Sequence, residues 1–205
     1  MSTEQGASGK KIGRKRRWED STPSRVAVIG GDGSFTSLAA RRYFVESIEL
    51  KHCSSFDSIF DAIDKGDVEY GVLPIENSDL GTIRSGIDKL VQKPGIHIVG
   101  ETYEREKLCL CALPDVEIER LETITSHAVA LEQCSDYLRR IRSKIKSGNL
   151  KLLISADTTA ACEEIRKNNL KCTAAIASAE AAKKHGLKVL VKDMTNDMNN
   201  ETRFV

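Results

Sequence analysis

Four short polar groupings in this 205-residue chain have residue types and spacings that could do chemistry. The first is the glycine-rich turn Gly30-Gly31-Asp32-Gly33-Ser34-Phe35. Counted from Gly31, a dinucleotide fingerprint would need a third glycine where Thr36 stands, and no G-K-[ST] follows, so the turn does not read as a nucleotide loop. It reads as a turn that aims a helix N-terminus, with Ser34, Thr36 and Ser37, at an anion. The second grouping is Glu76-Asn77-Ser78, just past the end of a strand, where open α/β sheets usually receive ligands. Asn77 offers both a donor and an acceptor there. The third is Ser126 with Gln133, seven residues on. That spacing puts both on one helix face, roughly 10 Å apart along the axis, with Gln133 leaning back toward Ser126. The fourth is the polar helix start Asp157-Thr158-Thr159. Taken singly, each of these is the ordinary makeup of a helix cap or polar turn. Only their convergence would make a site.

Other chemistries find less support. His127 adjoins Ser126, but adjacency in sequence does not make a triad. His52, His97 and His185 fall in unrelated elements. The six cysteines, Cys53, Cys109, Cys111, Cys134, Cys162 and Cys172, contain no C-x-x-C pair, which argues against a zinc or redox site. They read as buried free thiols of a reducing compartment. With 31 Lys+Arg against 30 Asp+Glu, a net charge of +1 gives no global reason to expect nucleic acid. No run of about 18 apolar residues exists to span a bilayer. The amino-terminal stretch lacks a signal-peptide core, which points to a cytoplasmic address.

The elements that must position these groups follow from periodicity. Residues 1–24 read as a disordered basic tail, with Lys10, Lys11, Arg14, Lys15, Arg16 and Arg17 as a solvated run. Residues 25–30 form an apolar β-branched run stopped by glycine, as a buried strand would be. Strands and helices then alternate: a helix from Ser34 to about residue 45, a strand over 49–53, and a helix opened by a Ser54-x-x-Asp57 capping box. In that helix Phe56, Ile59, Phe60 and Ile63 make one apolar stripe. A strand over 70–75, a helix over 82–91 and a strand over 96–101 complete the first round. The second round has strands over 108–113 and 123–125, one helix over 128–142, then strand 151–155, helix 158–168, strand 173–177, helix 179–185 and strand 188–191. A last strand begins at Thr202. Two α/β rounds imply two lobes with a cleft between them.

The ordered set of these segments resembles the catalytic domain of prephenate dehydratase, over residues 25–205. The resemblance rests on Gly-x-Gly-Ser-Phe-x-x-Leu-Ala-Ala from Gly31, Val72-Leu-Pro-Ile-Glu-Asn-Ser78 followed by Gly81-Thr82, and Ile98-Val-Gly-Glu101. It continues through Ser126-His127 with Gln133-Cys134, Ala174-Ala-Ile-Ala-Ser178, His185-Gly-Leu-x-Val-Leu190 and Asn200-x-Thr-Arg-Phe204. It implies two α/β lobes with mixed sheets and a central cleft, like type II periplasmic binding proteins. Lobe 1 would take about 25–101 plus 188–205, and lobe 2 about 102–187. The implied reaction removes carbon dioxide and water from prephenate to give phenylpyruvate, in phenylalanine biosynthesis, with neither metal nor organic cofactor.

By motif, Thr202 is the essential hydroxyl, with Asn77, Ser126 and Gln133 as catalytic companions. Thr36, Ser37, Ser78, Thr82, Thr158, Arg203 and Phe204 are candidates for binding substrate. The family implies a homodimer or larger assembly, and no nucleic acid or membrane partner. Two departures stand out. Ala128-Val129 replaces the family's usual Pro-Gln, removing a polar group near the cleft. The chain also ends at Val205, where the family generally continues into a phenylalanine-sensing ACT domain, so feedback control within this chain is not expected. Two other readings remain: an arogenate dehydratase acting on the amino analogue, and a catalytically impaired small-molecule-binding or partner subunit on the same scaffold.

Overall fold

The computed structural model describes residues 23–45, 47–145 and 149–205. The basic run of the tail lies outside the described residues.

Strand β1 (Ser24–Ile29) shows why the first lobe has two cores. Successive side chains of a strand point to opposite faces. Val26 and Val28 therefore pack with Ala39 and Ala40 of helix α1 (Phe35–Tyr43), while Ala27 packs with Ile59 and Phe60 beyond the other face. Strand β2 (Ile48–Cys53) runs parallel to β1, with Val26 opposite Leu50. Helix α2 (Phe56–Asp64) buries Ile59, Phe60 and Ala62, as its apolar stripe requires. Its cap is one residue later than the sequence suggests. Ser55 accepts from the Ser58 N–H, and the Ser58 hydroxyl answers to the Ser55 N–H. Burial of Ile59 and Phe60, at about 1.5–3 kcal/mol each, outweighs a cap of about 1 kcal/mol, so packing sets the helix phase and the cap follows.

Strand β3 (Tyr70–Gly71) completes a three-stranded parallel sheet in the order β2-β1-β3. Strand β4 (Pro74–Asn77), strand β5 (Gly81–Thr82) and helix α3 (Arg84–Gln92) follow. The expected strand over 96–101 is absent, and strand β6 lies later, at Thr102–Arg105. The reason is its partner. The ladder to the last strand starts at Thr102 opposite Phe204, and the one residue beyond, Val205, pairs instead with Leu73. Ile98 and Val99 are left exposed.

The second lobe is built on one mixed five-stranded sheet. Strand β7 (Cys109–Ala112), all four residues buried, leads to strand β8 (Thr123–Ser126). The single helix expected over 128–142 is two, α4 (Ala128–Gln133) and α5 (Ser135–Ile141), broken at buried Cys134. Asn196 enters the break. Its amide donates to the Glu132 carbonyl, its side-chain oxygen accepts from the Asp136 N–H, and its own N–H donates to the Gln133 carbonyl at 2.7 Å. Strand β9 (Lys151–Ile154), helix α6 (Thr158–Lys167), strand β10 (Thr173–Ala177), helix α7 (Ala179–Lys184) and strand β11 (Lys188–Val191) complete the lobe, with sheet order β11-β7-β10-β8-β9. Strand β12 (Glu201–Phe204) returns to the first lobe between β4 and β6.

Sheet membership thus moves both expected lobe boundaries. Residues 102–105 belong to the first lobe and 188–191 to the second, so the chain crosses at 106–108 and again at 192–200. The crossings are bonded to one another: the Glu106 N–H donates to the Asn200 carbonyl (3.0 Å) and the Met194 N–H to the Leu108 carbonyl (2.8 Å).

The glycine-rich turn also ties the lobes. The Ser178 hydroxyl donates to the Gly33 carbonyl at 2.6 Å, and the Gly31 N–H to the Thr159 hydroxyl at 3.0 Å. Gly33 has φ +88°, and a Cβ there would fall 2.5 Å from the Ala181 backbone nitrogen. Only glycine fits both the dihedral and the contact.

Candidate active site between the lobes

A cleft of about 360 Å³ opens where α1, β4, β12 and the first crossing face α4 and α6. The size suits a small organic ligand. Three helix starts converge on it: Ser34, Phe35 and Thr36 of α1; His127, Val129 and Ala130 of α4; and Ala156, Asp157 and Thr158 of α6. Helix N-termini favour negative charge. Two of the three are internally capped. Ser34 accepts from the Ser37 N–H, and Asp157 accepts from the Thr159 and Ala160 N–H groups. Helix α4 has no side-chain cap.

On the first-lobe wall the polar groups form one connected network, open only at the Asn200 amide nitrogen. Antiparallel pairing of β4 with β12 puts Asn77 opposite Thr202, and both are 2% exposed. The Asn77 amide donates to the Thr202 hydroxyl at 2.8 Å and to the Asn200 side-chain oxygen at 2.7 Å. Its own carbonyl accepts from the Asp79 and Leu80 N–H groups. Both ends of the amide are therefore assigned, and its orientation is fixed. Thr202 in turn hydrogen-bonds Glu106, Oγ1 to Oε1, at 2.5 Å. Burial, with a smaller push from the Asp79 carboxylate, holds the Glu106 acid above the usual carboxylate range, against the opposing bond from Thr202.

The second-lobe wall is different. Gln133, 6% exposed, lines the cleft with neither its amide nitrogen nor its oxygen bonded. The helix break at Cys134, stitched by Asn196, ends the turn that carries it. On the first-lobe side, behind Asn77, Asn200 also leaves its amide nitrogen unpaired. A buried unpaired amide is costly, roughly 1–3 kcal/mol, and a bound polar ligand is one means of relieving it.

Of the residues marked by sequence, Thr36, Asn77, Gln133, Thr158, Thr202 and Phe204 line the cleft. Five others do not. Ser126 is fully buried, and its hydroxyl donates to the Ile176 carbonyl at 2.6 Å, joining β8 to β10. His127, not Ser126, is the α4 cap residue. No hydrogen bond joins Gln133 to Ser126. Ser37 is spent on the turn, accepting from the Gly33 N–H and donating to the Ser34 carbonyl. The Ser78 hydroxyl accepts from the Glu201 N–H. Thr82 is exposed on β5. Arg203 points to the opposite face from Thr202, as strand alternation requires, and pairs with Glu101 and Glu76. Val129 lines the cleft, so the departure from the family's Pro-Gln pair falls inside the site.

Glu106 was not marked by sequence. It sits in the charged run Glu104-Arg105-Glu106-Lys107, which reads as a solvated face. The available signal was alternation: Thr102, Glu104, Glu106 and fully buried Leu108 share one face.

Five cysteines are buried, but Cys172 is exposed, against the expectation of six buried thiols. Burial pushes the Cys134 and Cys162 thiols up to about 12, which keeps them protonated and unreactive. No group of three or more His, Cys, Asp or Glu side chains is arranged to hold a metal among the described residues, and no described helix is long and apolar enough to cross a membrane.

Comparison with known proteins places this geometry. The sequence profile of a family described as "Prephenate dehydratase" matches residues 26–205. The chain is 37% identical over 181 residues to arogenate dehydratase/prephenate dehydratase 2, chloroplastic, of Arabidopsis thaliana, covering 88% of this chain and 45% of that protein. It thus spans under half the length of that relative. Among solved structures, the prephenate dehydratase of Arthrobacter aurescens in complex with L-Phe superposes with a TM-score of 0.77 at 22% identity, covering 88% of this chain and 58% of the other, and shares the fold. GqqA, described as a novel type of quorum-quenching acylase, superposes with a TM-score of 0.76 at 29% identity, covering 88% and 62%.

Proposed function

We propose, from the premise that this chain belongs to the prephenate dehydratase family, that its cleft converts prephenate to phenylpyruvate, a step toward phenylalanine, as a carbon–oxygen lyase. The observation that carries the reading is the oriented Asn77–Thr202 pair on one wall facing the unpaired Gln133 amide on the other.

In this reaction the bond from the ring to its carboxylate carbon breaks and its electron pair enters the ring. The ring's carbon–oxygen bond breaks, and the departing hydroxide takes up one proton to leave as water. Aromatisation supplies much of the drive. The protein's task is to help a poor leaving group, and Thr202 is the donor placed for it. A threonine hydroxyl is a weak acid, so its value lies in a fixed hydrogen bond to the departing oxygen. General acid assistance of this kind is worth about 10²–10⁴ in rate. Thr36 at the start of α1, Thr158 at the start of α6 and the uncapped start of α4 suit the side-chain carboxylate. Gln133 would find its missing partners in the substrate. The ring carboxylate is best held loosely in a dry site, where its loss is favoured.

The test is direct: supply prephenate to the purified protein and follow phenylpyruvate. Turnover is expected, with Thr202→Ala lowering kcat by about 10²-fold or more while leaving substrate affinity within a few-fold. Equal turnover by Thr202→Ala would remove the threonine from the mechanism. No turnover at all would favour the impaired-subunit reading.

One observation favours arogenate as a second substrate. Apart from Glu106, the cleft lining includes Asp157 but no Lys or Arg among the described residues. A zwitterionic side chain suits such a cleft better than a second bare anion. Parallel kcat/KM values on the two substrates decide between them.

A further inference from the structure

The Thr202 hydroxyl has one hydrogen to give, and its present partner matters. When Glu106 is ionised it can only accept, so it takes that hydrogen across the 2.5 Å contact and none is left for a substrate. When Glu106 carries a proton, the same contact runs the other way. Thr202 Oγ1 then accepts from Glu106 and from the Asn77 amide, filling both lone pairs, and its own hydrogen is free to turn into the cleft. The arrangement at Thr202 is thus a two-position switch set by the carboxyl behind it.

We propose that Glu106 is the proton reservoir of this site, delivering a proton through the Thr202 hydroxyl to the departing oxygen. The inference rests on the dehydratase reading above. As the carbon–oxygen bond of the substrate breaks, the oxygen takes the hydrogen of Thr202, and Thr202 takes the proton of Glu106. Water leaves, Thr202 is restored, and Glu106 remains as a carboxylate until solvent reprotonates it. The single proton consumed by the overall reaction is accounted for, and threonine never has to act as an acid in its own right.

The surroundings suit this task. Glu106 lies partly buried at the first crossing, and its backbone N–H is fixed to the Asn200 carbonyl of the second. From the β4–β5 turn it faces Asp79, whose own acid is raised by burial and by Asp197 of the second crossing. Across the cleft stand exposed His127 at the start of α4 and Asp157 at the start of α6, the latter's carboxylate spent on Thr159 and Ala160. Two positions back on the same strand face, Glu104 is paired with Arg42. Among the described cleft residues no Lys or Arg stands by to hold Glu106 ionised. Burial raises its acid above the ordinary range, which extends its protonated form toward neutral pH.

The test is the pH dependence of kcat on prephenate, and on arogenate in parallel, for wild type, Glu106→Gln and Glu106→Asp. Wild-type kcat is expected to fall as pH rises through the raised Glu106 value, because the required form is the protonated one. Glu106→Gln still donates a hydrogen bond to Thr202 but cannot pass a proton. Its kcat should drop about 10²-fold with KM within about threefold, and the fall at higher pH should disappear. Glu106→Asp should recover part of the rate and regain a fall, displaced along the pH axis. A merely structural role would lower kcat in Glu106→Gln but keep the wild-type pH profile, and that result overturns the relay while leaving the dehydratase reading intact. So does a wild-type kcat that stays flat across the range, even if Glu106→Gln cannot be folded. Failure of wild type on both substrates sinks the underlying reading and the relay with it.

Discussion

The two walls of the cleft are built on opposite terms. On the first-lobe wall the Asn77 amide is assigned at both ends, and Asn77, Thr202, Asn200 and Glu106 hold one another in place before any ligand arrives. On the second-lobe wall Gln133 is buried with nothing to bond, and α4 starts without a side-chain cap. The difference separates two tasks. Groups that must act on a forming charge gain from being fixed in advance, because no reorganisation is then needed at the moment of reaction. Groups that grip a ligand gain from being left wanting, since their unmet bonds become affinity.

That contrast can be broken by substitution. After Thr202→Ala, the largest effect should come from Asn77→Asp on the fixed wall. Asp at this position cannot donate to Thr202 or Asn200, and when ionised it competes for the hydroxyl hydrogen. We expect kcat to fall about 10²-fold with KM little changed, read from steady-state kinetics on prephenate. A matching rise in KM instead would mean that Asn77 grips rather than orients. Gln133→Leu on the waiting wall should behave in the opposite way. KM should rise about tenfold, the value of one or two lost hydrogen bonds, with kcat changed far less. The ligand-free protein should also gain about 1 kcal/mol in stability by denaturant unfolding, because two buried unpaired groups are removed. A destabilised Gln133→Leu would show that the amide has partners in the free protein after all. The smallest effect should be that of Ser126→Ala. It lies outside the cleft, so the kinetics should be unchanged, while loss of its bond to Ile176 costs about 1 kcal/mol of stability. A large loss of kcat in that variant would return Ser126 to the chemistry and redraw the second wall.

What could be read from the sequence follows from the range of the forces involved. The β1 run and the α2 stripe were legible because burial repeats with the local period, and the structure buries Val26, Val28, Ile59 and Phe60 accordingly. That Asn77, Gln133 and Thr202 line one cleft was legible through a family's ordered motifs. The break at Cys134 was not, because the residue that makes it, Asn196, comes from a crossing some sixty positions away. Ser126 was misread for a similar reason. A serine before a helix looks like a cap, but here the carbonyl of a neighbouring strand competes for its hydroxyl and wins. Glu106 was hidden inside a charge run, where composition signals solvent and only the alternation toward Leu108 signals burial.

The place where the polypeptide passes twice between its halves has a kinematic consequence. Glu106 begins one passage, Asn200 ends the other with Thr202 just beyond it in β12, and backbone bonds clasp the two together. The glycine-rich turn pins the halves at a second place, Gly31 to Thr159 and Gly33 to Ser178, so a swing about the clasp would have to break those bonds. Two fastenings on opposite sides of the cleft hold the halves in register, with the start of α6 secured by one and Thr202 beside the other. On the dehydratase reading, a frame pinned twice keeps the Asn77, Thr202 and Glu106 network in one geometry from one turnover to the next.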